Sequence, residues 1–480
     1  MKLLTLLGFL GTGLLANGQY TEPVRHYYPE LLREDLAVLW KTVEQSHPDP
    51  YHYRTREEME ELVASVDSGL VLPLSAEGFI RAVMPIFRAM GDAGAGLFPP
   101  DALNEAYLHS DPLFPISVAV LDGKLYLNDE LKGFESLPPG CELLSINGNS
   151  STKVLEKIRN GLVPEGANET RKDRQIEKKF PVLYRRFVGS QERFLVRYRD
   201  VDGTETERML FAITGDQIKQ FHRKGTLSLQ PWRLEEFPDT RAAWLTLSTL
   251  EPKVLADAQV EPAKYLNTVL DVLRKSECRT LVIDLRGASG TDLAIAEQVF
   301  ALVAQTPYRL VSSMSINSGQ VPDAYADAAP DFFTTVGDLY LPEQNGRRML
   351  RPEDPRLMHL LPMAKAFSGK LYVICDGGTV GAGAAAAMLA KRSGRARLVG
   401  EEAGSNAASF CGGRTLDIAL PATGCHLVLP LTRYVPNGVG EGPKDHGEIP
   451  TYPVYRVPDD VAKGKDTVRD MLMLLIDAMK

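Results

Sequence analysis

The sequence predicts an α/β core preceded by a helical N-terminal domain and a mixed α+β module. Three observations predict it. Apolar residues recur at helical spacing as far as about residue 90. From Phe114 the apolar period shortens, and strands with Asx-Gly turns take over. From Trp232 strands and helices alternate, the pattern of a parallel sheet with right-handed crossovers. At 480 residues the chain is too long for one compact core. The expected division is a leader over 1–18, a helical domain over 19–110, a mixed module over 111–215 and the α/β core over 216–480.

The leader is read from "MKLLTLLGFLGTGLLANGQ". One Lys precedes an apolar run from Leu3 to Leu15, followed by the small residues Ala16 and Gly18. That is the pattern of a secretory signal cleaved near Gly18, with periplasmic or extracellular destination. The run is shorter than the ~20 residues of a membrane span. No later segment reads as a span.

In the helical domain, "LLREDLAVLWKTVEQSH" is the first helix and "HPDPYHY" breaks it with two prolines. "TREEMEELVASV" restarts with Thr55 and Glu58 in a capping-box pattern. A third helix is expected from about Ser75 to Met90. The mixed module opens with "FPISVAVLDGKLYLND", a hairpin turning at Asp122-Gly123. "LPPGCELLSINGNSSTKVLEKI" gives a strand, an Asn147-Gly148 turn and a helix, and Arg and Lys crowd 171–186. "RFLVRYRDVDGTETERMLFAI" is a further strand pair. In the core, "RAAWLTLSTL", "RTLVIDLRG", "KLYVICD" and "ARLVGEE" read as strands, and "YLNTVLDVLRKS", "DLAIAEQVFALVAQ" and "AGAAAAMLAKRSG" as helices. The hairpin "RTLDIALPATGCHLVLPL" and the helix "DTVRDMLMLLIDAM" close the chain.

Composition narrows the function. The chain is 44% hydrophobic and 24% charged, with net charge −8 and scattered basic residues. That disfavours a nucleic-acid binder, which needs a concentrated basic surface. Five cysteines form no CxxC pair, so no zinc site and no cofactor is expected. A Cys411–Cys425 disulfide is not expected.

Three glycine-rich turns follow apolar elements: "MGDAGAGL", "LRGASGTD" and "CDGGTVGAGAAAAML". Turns at the carboxyl ends of parallel strands gather the sites of α/β folds, and their N–H groups can hold an anion. "GAGAAA" from Gly381 also fits a dinucleotide fingerprint, with Glu401 as the ribose-binding acid. Against it, Asp376 to Val380 separate the strand from the first glycine.

These segments together resemble the C-terminal processing (tail-specific) serine peptidase family, with a core like that of tricorn and of interphotoreceptor retinoid-binding protein. "GDAGAGLF" resembles its G-D-G-H-T turn and "LPPGCELLSINGNS" its PDZ-like segment. "LVIDLRGASGTD", "TVGAGAAAAML", "LVGEEAGSN" and "HGEIPTYPV" resemble, in order, its later motifs. The resemblance implies a core of the ClpP/crotonase-like type and a PDZ-like module. It places the nucleophilic serine on Gly381 and the following glutamate on Ala384. It places the histidine of the first turn on Gly94, the lysine base near Asn406, and a late glutamate at Lys444. None of these side chains can perform its part in acyl transfer. Thr379 lies close by but is expected to face away.

The expected role is therefore peptide or protein C-terminus binding without cleavage. Backbone N–H groups of Gly287, Ala288, Gly381 and Ala382 would form an oxyanion-like cradle, open to a carboxylate. The alternative is an active serine endopeptidase with its nucleophile relocated to Ser405, Ser409 or Ser289. A dinucleotide enzyme using Gly381 is the third reading. His47, His52, His426 and His446 show no spacing that specifies a metal site or triad. The oligomeric state is not legible.

Overall fold

The computed structural model describes residues 25–131, 137–225, 230–317, 339–342, 347–438 and 444–478, with Ala328 and Phe332. The expected leader lies outside the described residues. No helix among them is long and apolar enough to cross a membrane.

The N-terminal part comprises β1 (His26–Tyr27), α1 (Pro29–Ser46), α2 (Arg56–Gly69), β2 (Leu74–Ser75), α3 (Ala76–Met90), β3 (Gly96–Phe98) and α4 (Asp101–His109). The Thr55/Glu58 capping box forms as the sequence predicts, and Ser75 caps α3. The packing is less local than the sequence suggests. Leu32, Leu36, Phe79 and Phe87 share one apolar cluster with Leu416, Leu427 and Leu429 of the late hairpin. β3 pairs with that hairpin, Leu97 opposite Leu427. The helices thus bury their apolar stripe against the core rather than only against one another.

The middle module holds β4 (Ile116–Leu121), β5 (Lys124–Glu130), β6 (Glu142–Ile146), β7 (Asn149–Ser150), α5 (Ser151–Asn160), α6 (Thr170–Phe187), β8 (Arg193–Arg199), β9 (Glu205–Phe211) and α7 (Gly215–Gly225). Its antiparallel sheet runs β4-β5-β6-β8-β9. Asp122-Gly123 and Asn147-Gly148 all take positive φ, as tight Asx-Gly turns require. The basic stretch at 171–186 is a helix, α6. It buries Ile176, Phe180, Leu183 and Tyr184 on one face. It covers the edge strand β4, where Val120 N–H donates to Glu177 Oε1 at 2.7 Å.

The core comprises β10 (Trp232–Phe237), β11 (Ala242–Leu247), α8 (Pro252–Asp257), α9 (Pro262–Lys275), β12 (Thr280–Asp284), α10 (Leu293–Ala301), β13 (Val311–Ile316), β14 (Tyr340–Pro342), β15 (Arg348–Leu350), β16 (Lys370–Cys375), α11 (Ala382–Arg392), β17 (Arg397–Gly400), β18 (Phe410–Ala419), β19 (His426–Pro436), β20 (Tyr452–Pro453), α12 (Pro458–Ala462) and α13 (Thr467–Asp477). One sheet runs β10-β11-β12-β16-β17-β20, parallel except for β10. α9, α10 and α11 pack on one face. α13 packs on the other, over Trp244, Val282, Ile374 and Val399. A second, antiparallel sheet runs β14-β15-β13-β19-β18.

Candidate functional site

β12, β16 and β17 are neighbours in a parallel sheet, so the glycine-rich turns after them meet at one end. Asp376 and Thr379 bind two of these turns together. Asp376 Oδ1 accepts the N–H groups of Gly287 and Gly378, each at 2.9 Å. Thr379 is buried, donates its hydroxyl to Leu285 O at 2.8 Å, and accepts the N–H of Asp376 at 3.0 Å. Its side chain serves the turn and faces away from position 381.

Gly381 stands directly before α11 with φ 55° and ψ −122°, a backbone that glycine adopts and L-residues avoid. A Cβ built there would fall well inside van der Waals contact of the Gly290 carbonyl oxygen. That carbonyl is fixed, because it accepts the Ala382 N–H at 2.9 Å. Position 381, where the resemblance places a nucleophile, therefore lacks both a hydroxyl and the space for one. Ala384, at the glutamate position, is wholly buried in the apolar core.

The four expected cradle donors are spent inside the protein. Gly287 N–H goes to Asp376, Ala288 N–H to Leu285 O at 3.0 Å, and Ala382 N–H to Gly290 O. Gly381 N–H donates to Ser405 Oγ at 2.9 Å. This differs from the open cradle that the sequence suggests. The cause is tertiary: the Gly287–Gly290 turn folds against the start of α11, and Ser405 reaches in from the loop after β17. The same contacts close the dinucleotide reading. A Cβ on Gly383 would strike Ala288 O, and the cavity that includes Glu401 is bordered by Asp376, not by Gly381.

The other family positions converge on this neighbourhood without a base. Gly94 N–H donates to Asp92 Oδ1 at 2.7 Å. Asn406 is buried and fully used: its Nδ2 donates to Tyr53 Oη at 2.5 Å and to Lys444 O at 2.8 Å, and its Oδ1 accepts from Ala408 and Ser409. Lys444 contributes its carbonyl to that contact. The relocated nucleophiles fare no better. Ser405 Oγ accepts from Gly381, and Ser409 Oγ accepts from Arg433 at 2.9 Å. Ser289 turns its carbonyl to Leu250 N–H. Among the described residues none of the three hydroxyls bonds to a histidine, a lysine or a carboxylate.

Sequence reasoning missed a buried polar cluster beside these turns. His47 Nε2 lies 2.7 Å from Asp92 Oδ2, and Asp49 N–H donates to His47 Nδ1 at 3.1 Å. The Nδ1 atom is thus an acceptor, so the ring proton sits on Nε2 and is donated to Asp92. Cys411 completes a His–Asp–Cys group whose atoms lie within 4.8 Å. The donor set does not suit a metal ion, because the histidine atom facing the group carries a proton. Burial alone would raise the Asp92 carboxyl. The His47 hydrogen bond, the Gly94 N–H and Arg171 outweigh it and hold Asp92 below the usual range. Burial, then the charges of Asp92, Glu165 and Asp49, push the Cys411 thiol well up. Glu165 is pushed up to about 7 by burial, with Arg171 opposing and Asp92 adding. The other three histidines singled out in the sequence pair with carboxylates: His52 with Asp49, His426 with Asp417, and His446 with Glu402. All five cysteines are free.

Residues 243–454 match the model of peptidase family S41. No curated protein matches the sequence. Among solved structures, a point mutant of CPAF superposes with a TM-score of 0.68 at 12% identity, over 94% of this chain and 98% of that one. Mature CPAF complexed with lactacystin gives 0.66 at 12% identity, with the same coverage. Mature CPAF alone gives 0.62 at 14%, again over 94% and 98%. At such identities the likeness speaks for the fold. The family match covers the α/β core, residues 243–454, and the fold is shared with CPAF over nearly the whole length: the core of this chain is that of a peptidase family S41 protein, the family that the ordered motifs resemble.

Proposed function

We propose that the protein is an exported, non-catalytic member of this family that binds extended peptides or protein C-termini. In this reading the core is of the ClpP/crotonase-like type and the middle module is PDZ-like. One observation carries the loss of catalysis: the Gly290 carbonyl fills the space of a side chain at Gly381, while the cradle donors are already bonded. A substrate carbonyl there would find neither nucleophile nor free oxyanion donors.

Binding by strand addition is supported at β9. Among the described residues it is paired on one side only, by β8, and six of its seven residues are exposed. An exposed sheet edge offers unpaired N–H and C=O groups to an extended chain. Capture of a carboxylate by the turn N–H groups has no support, since each is used internally. The test is treatment of the purified protein with a fluorophosphonate probe and a peptide pool. We expect no labelled serine and no new peptide termini, with peptides retained. Labelling at Ser405, Ser409 or Ser289, abolished by alanine at that position, would overturn the reading.

A further inference from the structure

The cavity that includes Glu401, of about 470 Å³, lies at the carboxyl end of the parallel sheet on the α13 face. Its position follows from strand periodicity. Trp244, Val282, Ile374 and Val399 lie in the cluster under α13. Two residues further on, the same face presents Thr246, Asp284, Asp376 and Glu401. Four neighbouring strands thus turn polar together, and α6 and the start of α13 wall the space they leave.

The polar groups are not evenly satisfied. Ten buried side-chain polar atoms lack a hydrogen-bond partner among the described residues, and four belong to this cavity: Arg174 Nε, Arg233 Nε, Thr246 Oγ1 and Glu401 Oε2. They sit at its two ends. In the middle, Arg286 is fully engaged by Asp284 and Asp466 at 2.6–3.0 Å. At the β10–β11 end, Arg233 and Thr246 are directly opposed across the strand pair. Glu235 is the acid nearest Arg233, at 3.4 Å. It is held in a fork by Arg469, at 2.7 and 3.3 Å. Arg233 Nε, ion-paired with Glu235, and the Thr246 hydroxyl remain without a hydrogen bond at that end. At the β17 end, Arg174 Nη1 is committed to Glu177 at 2.6 Å. Glu401 Oε2 stands 3.3 Å from Arg174 Nε as an ion pair without a hydrogen bond. Asp376 lies beside it.

The cavity therefore offers the orphaned Arg233 Nε and Thr246 hydroxyl at one end and the orphaned Glu401 Oε2 at the other; between them one guanidinium, Arg286, faces two carboxylates, and at the β17 end Arg456 is paired to Glu177. Strands lie ~4.8 Å apart, so Thr246 on β11 and Glu401 after β17 are separated by about 14 Å, the length of about four extended residues at ~3.3 Å each. We propose that this cavity binds a short free peptide end to end, its C-terminal carboxylate on Arg233 and Thr246 and its N-terminal ammonium at Glu401. This rests on the peptide-binding reading above and narrows it to peptides with both termini free. Neither terminus is chemically altered. A cavity of a few hundred Å³ with a few orphaned polar groups is the usual form of a small-ligand site.

The test is calorimetric titration of the purified protein with tetra-alanine in four forms: unblocked, N-acetylated, C-amidated and doubly blocked. Each block should weaken binding by about tenfold or more, the scale of one lost charge-assisted contact. Arg233→Met should abolish the preference for a free carboxylate while keeping the preference for a free amine. Glu401→Gln should do the reverse. Thermal melting of both variants separates loss of fold from loss of ligand, and the blocked peptides give the same answer on unaltered protein. Equal affinity for all four forms would overturn the cavity assignment while leaving peptide binding itself in place. If neither tetra-alanine nor longer unblocked peptides bind, the peptide reading falls as well.

Discussion

The carbonyl oxygen of Gly290 occupies the volume that a side chain on Gly381 would need. The two residues sit on turns after different strands, and the Ala382 N–H keeps that carbonyl in place. The backbone around position 381 thus leaves no room for a serine side chain. Gly381→Ser should lower stability by about 1–3 kcal/mol through overpacking and a positive φ. It should give no hydrolysis, because no base is in reach. Adding Gly94→His should not restore activity. Peptide turnover by the single variant, with an unchanged melting temperature, would show that the turn opens to admit a hydroxyl.

Thr379→Val tests the junction of the turns. The hydroxyl is buried and bonded both ways, to Leu285 O and from Asp376 N–H. A shape-conserving valine leaves both backbone groups unpaired, which costs about 1–3 kcal/mol. Urea unfolding should show a lower midpoint at unchanged slope. An unshifted midpoint would mean that the turns are held together without this residue.

Much of the fold was legible because its signals are local. Thr55 and Glu58 cap a helix, Asn147-Gly148 turns a strand, and the core strands and helices alternate as the apolar runs say. α6 was missed because Arg and Lys dominate it and Pro181 interrupts it. Its signal was present in the spacing of Ile176, Phe180, Leu183 and Tyr184. β3 and β10 were missed for a different reason, since short strands are defined by partners far away in sequence. That Gly381, Ala384, Gly94 and Asn406 carry no side chain able to act in acyl transfer was readable one by one. That Ser405 and Gly290 would consume the neighbouring N–H donors was not, because it depends on how three loops meet.

Glu165 predicts a pH dependence. Its folded value of about 7 lies above the ordinary value of 4.5, chiefly through burial. The folded protein therefore binds the extra proton between these values, and stability is lost as pH rises through about 7. Glu165→Gln should remove this loss. Relative to the parent, the variant should gain stability between pH 5 and pH 8, by on the order of 3 kcal/mol at most. Asp92 acts in the opposite sense, its contribution being lost in acid as pH falls through its lowered value. Parallel pH profiles for parent and variant from pH 5 to 8 would refute the assignment.

The apolar run ending before Ala16 and Gly18 predicts an exported protein beginning at or near Gln19. N-terminal sequencing of protein from the envelope or the medium would check this. An intact Met1 on membrane-bound material would rule it out.

The last prediction concerns the proton between His47 and Asp92. Because Asp49 N–H occupies Nδ1, a neutral His47 carries its proton on Nε2, and that proton meets Asp92 Oδ2 at 2.7 Å. The pair is buried, His47 being 1% exposed. Nitrogen-15 spectra of the ring should show a protonated Nε2 at neutral pH. Zinc should not raise the melting temperature, since binding at Nε2 would require the proton shared with Asp92 Oδ2 to leave while Nδ1 stays occupied by the Asp49 N–H. Removing the ring by His47→Ala should cost about 1–3 kcal/mol or more, the scale for leaving a buried acceptor, here a carboxylate, without its donor. His47→Asn should not recover it, because the shorter side chain cannot span from Asp49 N–H to Asp92. A protonated Nδ1, or stabilisation by zinc that Cys411→Ser abolishes, would instead make the His47–Asp92–Cys411 group a metal site.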